Sequence, residues 1–233
     1  MPVKDIVVLS GAGVSSESGL ATFRDSGGLW EGYNVHEVAS IDGWNKDPEK
    51  VLAFYNLRRK QASQAGPNAA HYFIGRLEKD YEVTVITQNV DDLHERGGSS
   101  NVIHLHGELS KARGEFDDSH IIEIGTNDIN PGDKAPDGSQ LRPAIVWFGE
   151  MVPLIEIAAQ IVAQADLLIV IGTSLVVYPA ASLVNYAKKG IPKFIIDPST
   201  PELFSYADWI HIKQSACAGV EELEQHLIHL RNE

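Results

Sequence analysis

Cysteine is almost missing from this chain of 233 residues: Cys217 stands alone. A single thiol excludes an intrachain disulfide and a cysteine-built zinc cage. No reactive-cysteine context surrounds it between Ala216 and Ala218, so it reads as an ordinary small side chain. Basic charge is also scarce. Lys and Arg number 19 against 32 Asp and Glu, which leaves a net charge of −13 and a pI near 5.1. Such a surface repels phosphate backbones, so nucleic acid is not an expected partner. It tolerates a basic protein tail without implying one, and its plain meaning is solubility. Long hydrophobic runs are lacking too. The first apolar run covers only Ile6 to Leu9, too short for a signal-peptide core or a membrane span. The expectation is a cytoplasmic protein with no membrane partner. Low-complexity tracts and internal repeats are absent.

What is present suffices for one sizeable domain, or a main domain carrying a small insert: 43% of residues are hydrophobic and 22% charged. Ile6-Val7-Val8-Leu9 is β-branched, apolar and ends at a glycine-rich turn, the pattern of a strand buried on both faces. Similar runs recur at 83–86, 144–148, 167–171 and 194–196. Segments with helical spacing lie between most of them, at 48–64, 68–79, 154–164, 179–189 and 220–230. Alternating strands and helices imply an α/β fold, a parallel sheet covered on both faces. Residues 110–140 depart from this pattern. They are polar and rich in Gly, Asp and Pro, with one strand-like piece at 121–124, and read as a small inserted module or long hairpin.

Four motifs end apolar strands. Ser10-Gly11-Ala12-Gly13-Val14-Ser15 brings two glycines to a strand's carboxyl end, where backbone N–H groups can approach a phosphate and a following helix offers its positive end. No glycine stands three residues after Gly13, so this is not the ordinary dinucleotide fingerprint, and a tight turn without ligand would look the same. Thr87-Gln88-Asn89-Val90-Asp91 could hydrogen-bond a ribose or carboxamide, or merely cap a helix. His104-Leu105-His106-Gly107 places two imidazoles on one face if the strand continues, and a histidine at a strand end is a natural general base. A structural histidine is the plainer alternative, and a metal pair lacks further ligands. Gly172-Thr173-Ser174-Leu175 offers hydroxyls and amides for a phosphate or ribose, and Asp197, ending the run at 194–196, could meet a ribose hydroxyl. Each motif is weak alone; their shared position at strand ends is not.

From Val3 to Ala216 the chain resembles the sirtuins, NAD-dependent protein deacylases. Gly11-Ala12-Gly13-Val14-Ser15, Ser18-Gly19 and Phe23-Arg24 look like the family's opening motif, with Leu20-Ala21-Thr22 a mild departure. Thr87-Gln88-Asn89-Val90-Asp91, His106-Gly107, Phe148-Gly149-Glu150 and Gly172-Thr173-Ser174-Leu175 follow in the family's order. The resemblance implies a single catalytic domain on a Rossmann-like doubly wound sheet. Its core would be 1–30, 82–109 and 141–233; its small-module segments would be 31–81 and 110–140. It implies NAD as cofactor, bound by Gly11, Ala12, Gly13, Ser15, Gly19, Phe23, Arg24, Trp30, Gln88, Asn89, Asp91, Gly172, Thr173, Ser174, Asp197 and Ala216. It implies His106 as general base and acylated-lysine proteins or peptides as partners, with nicotinamide and O-acyl-ADP-ribose as products. The peptide would lie as an added strand between 146–150, with Val146, Phe148, Gly149 and Glu150, and 175–178, with Leu175 and Val176.

Within the family, the stretch from Phe54 to Arg59 is similar to the acyl-pocket signature of class III, desuccinylating and demalonylating members. Tyr55 and Arg58 are three apart and share a helix face. A guanidinium pairs bidentately with the carboxylate of a succinyl or malonyl tail; a solvated arginine on an amphipathic helix is the plain alternative. Most sirtuins carry two cysteine pairs for zinc between the His-Gly and Phe-Gly-Glu motifs. Here 110–140 has none, so no zinc or other metal is expected, and a cluster of Phe116, Ile121, Ile122 and Ile124 is expected to stiffen the module instead. Asp197 stands where asparagine is usual. Two other activities fit the same site: an NAD glycohydrolase or mono-ADP-ribosyltransferase, and a non-catalytic NAD-binding module.

Overall fold

A computed structural model describes residues 3–22, 29–30 (by backbone), 32–116, 119–200 and 208–232. In chain order the elements are β1 (Asp5–Ser10), α1 (Gly13–Ser16), β2 (Leu29–Trp30), β3 (Tyr33–Asn34), α2 (Val35–Val38), α3 (Ile41–Lys46), α4 (Pro48–Gln64) and α5 (Ala69–Leu77). They continue with β4 (Glu82–Thr87), α6 (Leu93–Arg96), β5 (Val102–His104), β6 (Gly107–Gly114), β7 (Ile122–Glu123), β8 (Leu141–Ile145) and α7 (Ile155–Val162). The last are β9 (Leu167–Ile171), a 3₁₀ helix at Ala180–Tyr186, β10 (Lys193–Ile196), β11 (Ile210–Ile212) and α8 (Ala216–Asn232).

Six strands form one parallel sheet in the order β11-β10-β9-β1-β4-β5. Numbered along this sheet alone the order is 6-5-4-1-2-3, the Rossmann arrangement, whose direction of winding reverses between β1 and β9. The reason these segments are central strands is their composition. All five residues of β9 and all four of β10 are buried, as are the last five of β1. On one face Ile6, Val8, Val85, Ile169 and Ile196 pack with α5 and α8 residues such as Phe73, Ile74, Val220 and Leu223. On the other, Val7, Leu9, Ile86, Leu168 and Val170 pack with Ala158 and Val162 of α7 and Leu183 of the 3₁₀ helix. The fold is α/β, with helices on both faces.

Beside this sheet β7, β6 and β8 form a three-stranded antiparallel sheet. Two expectations need correction here. The apolar run at 144–148 does not join the parallel sheet: its strand is Leu141–Ile145 and pairs with β6, because Gly107 (φ 80°) turns the chain out of β5 toward it. A Cβ on Gly107 would lie 1.9 Å from the Ala144 carbonyl oxygen, so only glycine admits that approach. Nor do Phe116, Ile121, Ile122 and Ile124 form a cluster. Phe116 is 83% exposed and Ile121 50%, while Ile124 packs instead on a core of Leu109, Ala112, Ile129, Ile145, Trp147 and the α4 residues Val51, Phe54 and Tyr55.

Polar clamps complete that second core. The Asn56 amide donates to the Ile129 carbonyl at 2.9 Å and accepts from the Ile129 N–H at 3.0 Å, as a paired strand would. Arg59 donates to the Leu109 carbonyl at 2.6 Å and to Asn56 Oδ1 at 2.8 Å. Arg142, almost wholly buried, stacks 3.3 Å from the Trp147 ring centroid and grips both Glu150 oxygens at 2.7 and 2.9 Å.

Candidate active site

Parallel pairing aligns the strand ends, so the loops beyond them meet. Ser10 sits level with Thr87 of β4 and Ile171 of β9, so Gly11, Gln88 and Gly172 leave the sheet side by side. The glycines let two of these loops cross. Gly13 N–H donates to the Gly172 carbonyl at 2.8 Å. A Cβ on Gly11 would stand 2.7 Å from Thr173 Cβ, and one on Gly172 (φ 63°) would stand 2.2 Å from Val14 N. The Gln88 side chain then spans to Thr173 Oγ1 at 3.2 Å, tying the β4 and β9 loops across β1.

A cleft of about 480 Å³ opens over this crossing. Gly11, Ala12, Gly13 and Ser15 line it, with Gln88, Asn89 and Asp91 from the β4 loop, Gly172 and Thr173 from the β9 loop, and Asp197 and Ala216 farther along the sheet. His106, Tyr55, Arg58, Val146, Phe148, Gly149 and Glu150 line it as well. Gly19, Ser174, Leu175 and Val176 do not. Leu175 is buried in a left-handed turn (φ 57°), and Val177 and Tyr178 supply that wall instead. Phe23 and Arg24 lie outside the described residues, and Trp30 is placed by its backbone alone.

Ser15, Asn89 and Asp91 hold one another. Asn89 donates to Ser15 Oγ at 3.1 Å, and Asp91 accepts from Ser15 at 3.5 Å and from Leu93 N–H at 3.2 Å. Burial pushes the Asp91 carboxyl up, and those hydrogen bonds pull it partly back. His71 of α5 reaches Ser15 Oγ at 3.4 Å, and its other nitrogen accepts the Asn68 N–H. Asp197 receives the Ser199 N–H at 2.8 Å.

His106 donates from Nδ1 to the Gln88 carbonyl at 3.1 Å; a carbonyl can only accept, so Nε2 is the unprotonated nitrogen. Burial lowers its pKa, and the Gln88 carbonyl offsets this in part, which keeps it a free base at neutral pH. His104, expected on the same face, is not in the cleft. The strand ends at His104, and its ring is buried against Asn89 and Glu95.

Tyr55 and Arg58 stand together on α4 at the wall of the cleft, as their spacing predicts. Tyr55 Oη accepts from Trp147 Nε1 at 3.0 Å. Burial drives its pKa upward against the pull of Trp147 and of Arg142 and Arg58, so the phenol keeps its proton as a donor. Arg58 also reaches Gln61 Oε1 at 3.4 Å. Glu150 lines the cleft and is held from behind. Its carboxylate takes Arg142, Arg113 (3.0 Å) and the Trp147 N–H (2.8 Å), and although burial raises it, these partners hold it below the usual range. Trp147, Val177 and Tyr178 fall within the two segments expected to flank a peptide, whereas Pro179 and Ser215 have no signal in the sequence. Both sit in irregular segments with no periodicity to mark them.

The Sir2 family model matches residues 11–179. Among similar proteins is an NAD-dependent protein deacylase of Bacteroides thetaiotaomicron, 50% identical over 231 residues, covering 97% of this chain and 99% of that one. Another, from Helicobacter pylori, is 52% identical over 228 residues, with 98% and 99% covered. A solved Sir2 homologue in complex with NAD superposes with a TM-score of 0.87 at 43% identity, covering 97% of this chain and 90% of the other. A Sir2 protein bound to acetylated peptide gives 0.79 at 29%, covering 96% and 93%. The fold and cleft define a Rossmann-type α/β protein with a nucleotide-sized site at its switch point. The chain belongs to the Sir2 family, the sirtuins.

Proposed function

We propose that this protein is an NAD-dependent deacylase of protein lysines with His106 as general base, and that Tyr55 and Arg58 make it accept acidic acyl chains, as class III sirtuins do. The observation that carries the reading is one cleft joining the crossed glycine loops, an unprotonated imidazole nitrogen and the Tyr55–Arg58 pair. The donor set fits a dinucleotide. Glycine loops present bare backbone at the strand ends, and Ser174 Oγ is buried without a partner among the described residues. Gly11, Ala12, Gly13, Ser15, Gly172, Thr173 and Ser174 would hold the phosphates and adenosine, with Asp197 and Ala216 beyond. Gln88, Asn89 and Asp91 would hold the nicotinamide side, and Gly19, Phe23, Arg24 and Trp30 complete the set.

When bound, NAD supplies an electrophilic ribose carbon, a neutral leaving group and the hydroxyl that takes over the acyl chain. The chain's own residues do the rest. His106 Nε2 removes a hydroxyl proton while its Nδ1–H stays on Gln88, so the ring cannot swing away. Phe148 and the edge formed by Val146 and Gly149 align the peptide, opposite the wall of Val177 and Tyr178. Arg58 pairs with an acyl carboxylate, and the Tyr55 hydroxyl donates to it. Arg142 and Glu150 support this wall through Trp147. Cysteine ligands being absent, the module in this reading needs no zinc; the Asn56 and Arg59 clamps and the Arg142–Glu150 pair hold it.

The test is mass spectrometry of acetyl-, malonyl-, succinyl- and glutaryl-lysine peptides with and without NAD. Nicotinamide release should require an acyl peptide, deacylated peptide should vanish in His106→Ala, and Arg58→Met should depress succinyl turnover while sparing acetyl. Equal acetyl and succinyl activity, unchanged by Arg58→Met, sinks the pocket assignment. NAD consumption without any acyl peptide points instead to a glycohydrolase or ADP-ribosyltransferase.

A further inference from the structure

Two successive carbonyls at the floor of the cleft are each held by an imidazole. Gln88 C=O takes Nδ1–H of His106, and Asn89 C=O takes a ring nitrogen of His104 at 3.0 Å. The other ring nitrogen of His104 lies 2.7 Å from Glu95 Oε1, on α6. A carbonyl and a carboxylate both only accept, so both nitrogens of His104 must donate. That requires the imidazolium. Asn89 is thereby fixed at three points: its N–H on Thr87 Oγ1 at 3.0 Å, its side chain on Ser15, and its carbonyl on a buried cation.

We propose that His104 is a positioning residue: as an imidazolium bridging Asn89 and Glu95, it fixes the Gln88–Asn89 segment that faces the cofactor and carries His106. This rests on the deacylase reading for the identity of the cofactor, but the bridge itself does not.

The groups around the ring agree with a charged state. Glu95 approaches from α6 and Glu108 from β6, while Asp91 faces it from the β4 loop. His94 is the neighbouring imidazole, and it is buried and neutral. Lys111 pairs with Glu108 and lies near Glu95. Burial disfavours the charge on His104, and the two glutamates outweigh it. Loss of one ring proton would leave a lone pair against either the Glu95 carboxylate or the Asn89 carbonyl, so the bridge would open on one side. Grip on the cofactor should therefore weaken at high pH through a group other than His106.

The test uses Glu95→Gln, because the Glu95 side chain is 41% exposed and its replacement spares the core. Histidine ¹⁵N spectra of the unliganded protein should show His104 doubly protonated at pH 7.5, and singly protonated in Glu95→Gln. Calorimetry should find NAD bound about tenfold more weakly by the variant at pH 7.5, the scale of one lost charge-assisted hydrogen bond. The deficit should narrow as pH falls and the ring recharges. His104→Gln, keeping one N–H for Asn89, should recover part of the affinity lost in His104→Ala and show no such pH dependence. A singly protonated His104 in the unsubstituted protein, or an affinity deficit identical at every pH, overturns the proposal. If the unsubstituted protein takes up no NAD at all, the deacylase reading falls, and the spectra still decide whether the charged bridge exists.

Discussion

The parallel sheet and the three-stranded sheet beside it are held together by different physics. Strands β1, β9 and β10 are buried from both faces by Val, Ile and Leu, and their stability is apolar area removed from water. The smaller sheet has no such strands. It closes over a core of Trp44, Tyr55 and Trp147 through which Arg142, Glu150, Arg113, Asn56 and Arg59 thread. Here charged and amide groups are built into the core alongside the aromatic rings and carry the specificity. The difference teaches where the molecule is fragile: a methyl lost from the large sheet is a local cavity, whereas a partner lost from the small one strands a buried charge.

Glu150→Ala breaks the second region hardest. It leaves the nearly inaccessible Arg142 guanidinium without its carboxylate and frees the Trp147 N–H. Removing one member of a buried pair costs about 3–5 kcal/mol. Urea denaturation read by tryptophan fluorescence should show that loss, and one under ~1 kcal/mol would mean the pair is ornamental.

The large sheet has its own polar backing, and it is sensitive to acid. His71 and His94 lie edge to face, 5.0 Å apart, behind the cleft loops, and His94 Nε2 meets Ser10 Oγ at 2.8 Å. Burial depresses their pKa values to about 4 and about 3. Their unfolded value is near 6.5, so the neutral state's contribution is complete above ~6.5 and lost as pH falls toward those folded values. The slope approaches ~1.4 kcal/mol per pH unit for each group. His104 works in the opposite sense: raised above its unfolded pKa, it stabilises below ~6.5 and loses that contribution as pH climbs through the folded value. Melting curves from pH 7.5 to 4.5 should fall steeply, and His94→Gln, which retains an N–H for Ser10, should flatten the acid arm. An unaltered arm would place the acid sensitivity elsewhere.

Legibility in the sequence follows the same division. The four main central strands announce themselves, because a run buried on both faces must be apolar throughout. The helix at Pro48–Gln64 matches its expected span, as Asp47, Pro48 and the spacing of Val51, Leu52, Phe54 and Tyr55 would have it. The apolar run at 144–148 points to the parallel sheet but belongs beside β6, because apolar content cannot name a partner; the turn at Gly107 does that, through a φ no pattern displays. β5 and β11 are three-residue edges, below what periodicity detects. Strand alternation put His104 beside His106, but the strand stops at His104, and one imidazole goes to the cleft while the other goes beneath it. Glu150 shows another limit: no spacing in the sequence pairs it with Arg142, eight residues earlier, because only the fold brings the two together.

The mildest contrast is the sharpest comparison of the two regions. Asn56→Ala deletes an amide that acts as a one-residue strand partner for Ile129, whose own N–H and C=O would then be left without protein partners. An unsatisfied pair of this kind costs about 2 kcal/mol, and Arg59 would lose its Oδ1 acceptor as well. Ile169→Val, at the centre of β9, removes one methyl from a fully apolar surround and should cost only ~1 kcal/mol, since neighbouring side chains relax into part of the space. Chemical denaturation of the two variants side by side decides whether polar clamps or apolar area set the limit. If Ile169→Val proves the more damaging, the smaller sheet leans on its aromatic packing, and its buried amide and guanidinium groups are passengers.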